Sequence, residues 1–307
     1  MHTAVPLELV RYRAWFETGA ALRLPDYPGS AWRGAFGHAL KAAACTHPGT
    51  ACQACPELRD CPYPPLFESA DGAEPFRPYV FEPQVFSGYF LPGSLLGLDF
   101  VLFGWLNSWL PLLGEALQGL GEQGLGVREP VRLTLIDLQQ QVGPTGEAWA
   151  SILQPGHVGM ITAPLEPLQI PPAPHRVRLE IITPLKLKYR GALVQPDAFT
   201  AKDLLIALAR RVEACSGALP GLPLTPEPGI WLENADTLIH RAALAWQDTH
   251  HYSSRQHEAI KLGGLTGSLL LRGPVLERIW PWLWLGQWLH LGSSTTIGLG
   301  RYVLSAH

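Results

Sequence analysis

The hydrophobic and polar positions of this chain trace one pattern twice. Residues 7–16 alternate like a half-buried strand, and Trp32, Phe36, Leu40 and Ala44 then recur at helical spacing. The segment 25–29 reads as a turn, and Ser30 stands where a helix N-cap belongs, so the spacing predicts a helix from there to about Cys45. Extended segments follow over 79–86 and 95–103, then a helix over 109–120 and a strand over 131–140. A further strand over 148–153 extends the same sheet, which makes the order βαββαβ plus one addition.

The Pro-rich stretch 164–174 reads as a linker. Beyond it Arg176-Val177-Arg178-Leu179-Glu180-Ile181-Ile182 alternates again, and helix 201–215 follows. A Pro/Gly loop at 217–229, extended segments at 237–248 and 265–272, a helix over 275–290 and a strand over 301–304 complete a second βαββαβ order. The expected class is α+β: two tandem ferredoxin-like, RRM-like domains, 1–165 and 175–307. A cysteine-rich insertion (45–61) interrupts the first, and a glycine-rich loop (292–301) precedes the last strand.

Composition fits this picture. The 307 residues are 47% hydrophobic and only 16% charged, a packed globule long enough for two cores. The net charge of -3 hides an asymmetry: the chain is +4 from Pro171 onward and -7 before it. A basic second half suggests a face for a polyanion. The start lacks the basic-then-apolar pattern of a signal peptide, and Asp99, Asn107 and Pro111 interrupt the apolar run 95–113. A cytoplasmic protein without a membrane partner is expected.

Four of the five cysteines cluster as Cys45-x6-Cys52-x2-Cys55-x5-Cys61. Without an export signal, disulfides are disfavoured, and four thiolates in an irregular loop match a tetrahedral structural zinc site. An iron–sulfur cluster is the second reading, and His47 is a substitute ligand. Cys215, on an apolar helix face, reads as a small core residue.

The glycine loop offers a second chemistry. Ser293, Ser294 and Thr295 carry hydroxyls, Gly298 and Gly300 allow close backbone approach, and Arg301 adds a positive fork. A polyanion suits these donors, and a tight turn closing the last strand is the plainer alternative. Trp280, Trp282, Trp284 and Trp288 do not form one stripe at their spacing and read as core.

These segments carry a resemblance. Tyr252-Ser253-Ser254-Arg255-Gln256, Lys261-Leu262-Gly263-Gly264-Leu265-Thr266-Gly267, Leu289-His290-Leu291-Gly292 and Thr295-Thr296-Ile297-Gly298-Leu299-Gly300-Arg301-Tyr302 resemble the CRISPR repeat-processing endoribonuclease family of the RAMP superfamily. Trp32-Arg33-Gly34-Ala35-Phe36-Gly37, the cysteine loop with Cys61-Pro62-Tyr63-Pro64-Pro65-Leu66-Phe67-Glu68, and Thr183-Pro184-Leu185-Lys186-Leu187-Lys188 are similar to its other signatures.

The resemblance implies metal-independent cleavage of CRISPR precursor RNA within its repeats. The 2′-hydroxyl attacks the adjacent phosphate, leaving a 2′,3′-cyclic phosphate and a 5′-hydroxyl. It implies catalysis by a histidine on the first helix, a position held here by His38, with Lys41 one turn on as a phosphate cation. Arg33, Lys186, Lys188, Arg255, His257 and Lys261 join the glycine-loop residues as expected RNA contacts. Ser293 stands where many relatives carry a lysine, which leaves a second reading: a non-cleaving subunit holding guide RNA in a CRISPR effector complex. The expected partners are repeat RNA and other CRISPR subunits, not DNA.

Overall fold

A computed structural model describes residues 7–68, 76–85, 87–126, 129–143, 145–153, 160–164, 168–222, 228–248, 250–253, 258–261 and 263–306. The first half holds β1 (Leu9–Thr18), α1 (Gly29–Ala44), β2 (Tyr79–Pro83), β3 (Leu95–Phe103), α2 (Leu110–Gln123), β4 (Leu133–Val142) and β5 (Ala148–Ser151). They form an antiparallel sheet of order β2-β3-β1-β4-β5. The second half holds β6 (Arg176–Leu185), α3 (Ala201–Ser216), β7 (Ile239–Gln247), β8 (His250–Ser253), β9 (Glu258–Lys261), β10 (Gly264–Arg272), α4 (Pro274–Leu289) and β11 (Tyr302–Ala306). Its main sheet runs β7-β10-β6-β11, and β8 pairs with β9 as a separate hairpin. Both sheets have ferredoxin-like topology.

Alternation in β1 assigns its two faces. Val10, Tyr12, Ala14 and Phe16 bury themselves with Trp32 and Phe36 of α1 and Leu113 and Leu117 of α2. The opposite face carries Leu9, which joins Val80, Val101 and Phe103 in a core shared with α3 and α4. The helices of the second half therefore lie on the face of the first sheet that its own helices leave uncovered, and one continuous core spans the two halves. Trp280, Trp282, Trp284 and Trp288 are all buried in it or at its edge.

Two local expectations are corrected. The first helix begins at Gly29, with Pro28 at the N-cap position and no side-chain cap bond, so Ser30 lies inside the helix. Proline fixes φ in the range a helix start requires, which replaces the hydroxyl cap. The last long helix stops at Leu289, and His290 takes φ 59° as its left-handed terminator. Among the described residues no helix is long and apolar enough to cross a membrane.

Candidate functional site

The glycine loop is wedged between the two halves. Its short turn at Thr295–Ile297 meets β2 and α1. Gly298 has φ 92° and Gly300 φ 73°, and a Cβ at Gly300 would run into the Leu291 carbonyl. The Gly298 N–H donates to the Thr295 carbonyl (2.8 Å) and the Gly300 N–H to the Pro184 carbonyl (3.1 Å). The Thr183 hydroxyl donates to the Gly298 carbonyl (2.7 Å) and accepts from the Arg301 N–H (2.8 Å). These two glycines are buried and their amides are engaged within the protein, so close packing accounts for them. Ser293 and Ser294 stay half-exposed, whereas Thr295 is buried. The Ser293 N–H donates to the Lys186 carbonyl at 3.1 Å.

Beside the loop lies a buried ionic network that sequence reasoning missed. Glu82 of β2 accepts from Arg11 at 3.0 Å and contacts His290 Nε2 at 2.8 Å, while Arg301 stands 3.8 Å from its other oxygen. Burial alone would raise the carboxyl, but Arg11, then Arg301 and the His290 hydrogen bond, outweigh it and hold it well below the usual carboxylate range. Burial pushes the His290 imidazole below its ordinary range; the Glu82 contact opposes this, and Arg301 and Arg11 reinforce it. The available signal was Glu82 itself, the one acid in Tyr79-Val80-Phe81-Glu82-Pro83, a strand buried along its whole length. A cavity of about 450 Å³ adjoins the network, with Arg11, Arg301, Trp284 and Trp288 in its wall.

His38 is exposed on α1, between buried Gly37 and Ala39. Nine residues separate it from Gly29, so it lies about 13 Å along the helix from the end that abuts the loop. Lys41 is exposed too, with Nζ 5.1 Å from the Tyr63 ring. Arg33 is engaged in packing: its Nε–H donates to the Tyr79 hydroxyl at 2.8 Å, and its guanidinium lies over Phe67. The β8 strand touches α1, which brings the β8–β9 hairpin to the helix that carries His38. Lys261 is in β9, while Arg255 and His257 lie outside the described residues. Lys188 is exposed in a small hairpin that pairs Lys188–Tyr189 with Ala192–Leu193.

Cys45, Cys52, Cys55 and Cys61 line a single cavity of about 30 Å³, together with His47 and Glu57. Among the described residues no group of three or more His, Cys, Asp or Glu side chains is arranged as a ligand set. Burial, then Glu68 and the neighbouring thiols Cys61 and Cys45, push the Cys52 thiol up, against the pull of Lys41. The donor set suits zinc in composition.

The first sheet holds a second feature the sequence reading passed over. Arg13 forms a two-bonded pair with Asp99 (2.7 and 2.9 Å) and lies 4.0 Å over the Trp149 ring. Its signal was the alternation of Arg11, Arg13 and Trp15, which places all three on one face.

Residues 7–165 match a family model described as an N-terminal domain, and residues 179–302 match the model of the CRISPR-associated endoribonuclease Cas6. An uncharacterized protein of Archaeoglobus fulgidus is 30% identical over 117 residues, a match spanning 37% of this chain and 40% of that relative's length. Among solved structures, a Cas6 product complex aligns with TM-score 0.59 and 17% identity over 97% of this chain and 100% of that one. Thermus thermophilus Cas6 aligns at 0.57 with 15% identity, over 98% and 100%. A partial Cas6-RT-Cas1–Cas2 complex aligns at 0.56 with 12% identity, over 99% of this chain and 47% of that one. These likenesses show the tandem ferredoxin-like fold.

Proposed function

The chain belongs to the CRISPR-associated endoribonuclease Cas6 family, and from that premise we propose that it cuts CRISPR precursor RNA within its repeats. The 2′-oxygen attacks the adjacent phosphorus as its proton passes to a base. The bond to the 5′-oxygen breaks, and that oxygen takes a proton from an acid, leaving a 2′,3′-cyclic phosphate and a 5′-hydroxyl. No metal takes part in this scheme. His38 carries one of the two protons, and Lys41 neutralises charge on the phosphate.

The observation that carries this reading is the meeting of three elements on α1: the glycine loop at its start, the β8–β9 hairpin along it, and exposed His38 between buried neighbours. Arg301, Ser293, Ser294, Lys186, Lys188 and Lys261, with Arg255 and His257 beyond the described residues, supply the grip on RNA. Arg11 and Arg301 beside two indole rings suit a phosphate and its base. Cys45, Cys52, Cys55 and Cys61 would hold a structural zinc that ties the end of α1 to its loop, with no part in the chemistry. Other CRISPR proteins are proposed partners, in keeping with the fold shared with the Cas6-RT-Cas1–Cas2 complex.

The test is incubation with labelled repeat RNA in EDTA, beside RNA carrying a 2′-deoxy substitution at the cut. Cleavage of the first alone is expected. Tight binding with no cleavage of either would instead assign the chain to a guide-RNA-holding subunit.

A further inference from the structure

The outer face of the second sheet, opposite α3 and α4, carries a concentrated charge. Strand register fixes which side chains share it. Leu270 of β10 pairs with both Arg178 of β6 and Arg241 of β7, Ser305 of β11 pairs with Arg178, and Arg272 pairs with Arg176. Residues paired directly across strands point to the same side. Their neighbours Val177, Leu179, Leu269 and Leu271 point the other way and are buried. Arg176, Arg178, Arg241 and Arg272 are all exposed, and none forms an ion pair among the described residues. On the outward positions of the four strands the single carboxylate is Glu180.

This arrangement costs stability. Arg176 and Arg272 face each other directly, and like charges at such a pair repel. Strands lie about 4.8 Å apart and alternate residues about 6.7 Å apart, so the four guanidinium groups crowd into one corner of the sheet. Glu180 is the one carboxylate on this face, and among the described residues it forms no ion pair with any of the four. A chain of net charge -3 that gathers four unpaired arginines on one flat face has built a local site for a polyanion.

The rest of the face narrows the partner. The other outward positions include Ile182, Ala243, Ala245, Thr266, Ser268, Leu270, Val303 and Ser305; none is Phe, Tyr or Trp, and one exposed histidine, His240, sits at the bulge beside Arg241. RRM-type sheets that read bases do so by stacking them on aromatic rings, and this face has no such platform. It also lacks the buried aromatic anchors that dominate protein interfaces. What it offers is charge-assisted contact with phosphate oxygens, which positions a strand without reading its sequence.

We propose that the outer face of the second sheet is a phosphate-tracking surface for RNA that flanks the cut repeat, gripped by Arg176, Arg178, Arg241 and Arg272 without base readout. The proposal rests on the endoribonuclease reading, and it assigns the grip on flanking RNA to residues separate from His38 and the glycine loop.

The test compares the full-length protein with a variant carrying Arg176→Gln, Arg178→Gln, Arg241→Gln and Arg272→Gln. The probes are a bare repeat RNA and the same repeat with about twenty added nucleotides on each side. Each single-strand phosphate contact contributes about 0.7 to the slope of log affinity against log salt, so losing four should flatten the slope for the flanked RNA by about 3. Affinity for that RNA should fall about tenfold or more at moderate salt. The bare repeat should bind as before, and bound repeat should be cut at an unchanged single-turnover rate. A second variant with lysine at the same four positions keeps the charge and should restore most of the slope. The exposed positions and the relief of repulsion predict a melting temperature no lower than that of the parent. Identical slopes for parent and glutamine variant, with the parent binding and cutting RNA, would overturn the proposal and leave the endoribonuclease reading standing. A parent that neither binds nor cuts RNA would overturn both. Loss of affinity for a polyglutamate chain but not for RNA would reassign the face to an acidic protein.

Discussion

Nε2 of His290 lies 2.8 Å from Oε1 of Glu82, so a fully buried imidazole in the second half meets a fully buried carboxylate in the first. The other ring nitrogen sits 3.1 Å from the Leu299 carbonyl, inside the glycine loop. One histidine thus spans the end of α4, the loop and β2. Arg11 adds a further link, donating both to Glu82 and to the Gln287 carbonyl of α4 at 2.7 Å. The loop is held in place by groups from both halves.

Removing the carboxylate would leave two guanidinium groups without their counter-charge in a largely buried site. Glu82→Gln should therefore cost roughly 3 kcal/mol, the usual penalty for breaking one side of a buried pair. Chemical denaturation of parent and variant checks this. A change below about 0.5 kcal/mol, the size expected of a surface substitution, would show that the network contributes little to stability.

The same pair sets a pH dependence. The imidazole of native His290 is held below its ordinary range, so below about pH 6.5 the unfolded chain takes up a proton that the native state resists. The carboxyl of Glu82 is also held below its unfolded value, so its contribution is complete above about pH 4.3 and is lost as pH falls further. Both act in one direction: melting temperature should fall in two stages, the first below about pH 6.5 and the second below about pH 4.3. His290→Gln should flatten the upper stage and Glu82→Gln the lower. Parallel pH profiles for parent and both variants would show that other groups govern acid stability.

Gly300→Ala tests the packing role of the loop. The position has φ 73°, and the added methyl would meet the Leu291 carbonyl. Left-handed backbone and steric conflict together should cost roughly 3 kcal/mol. Repeat-RNA affinity measured well below the melting temperature should be nearly retained, because the Gly300 amide already donates to Pro184. Loss of RNA affinity with unchanged stability would return this glycine to the phosphate contacts.

His38→Ala should lower cleavage by about 10² to 10⁴ while repeat binding holds, the range expected when one proton carrier is removed. Single-turnover assays at saturating protein separate the two. The exposed ring makes a fold defect no explanation for a loss. Full cleavage by the variant would move the proton role to another group on α1 or the hairpin.

The elements that were legible in sequence are those whose own periodicity fixes them. In β1, Val10, Tyr12, Ala14 and Phe16 alternate against Arg11, Arg13 and Trp15, and that alone gives a strand with two distinct faces. It does not say what covers the second face, because the helices that do so begin more than 180 residues later. Glu82 stood out as the one acid of a buried strand, but what it pairs with was illegible for the same reason. Its partners Arg11, His290 and Arg301 come from three distant segments, and no local spacing links them. The glycine loop stood out for its composition, which allows two uses of glycine. Only the surrounding carbonyls distinguish an amide free for phosphate from one already bonded.

The cysteine loop supplies the last prediction. Four thiols around one small cavity are neither buried enough to act as core nor paired as disulfides. The Cys52 thiol is pushed up by burial, by Glu68 and by its neighbours Cys61 and Cys45, so without a metal this thiol resists ionisation. A divalent cation reverses that balance, drawing the sulfurs together and expelling their protons. Purified protein should therefore carry about one zinc per chain by elemental analysis, and its zinc affinity should rise with pH as thiol protons are displaced. Cys52→Ser and Cys55→Ser should each lose the metal and lower the melting temperature, because Cys45 sits at the C-terminal cap of α1 and a bound metal would anchor that end. Cleavage of repeat RNA by the serine variants should persist at temperatures where they remain folded, since His38 lies two turns nearer the glycine loop. Metal-free protein whose melting temperature responds to neither added zinc nor the serine substitutions would reduce the four cysteines to ordinary thiols in a loop.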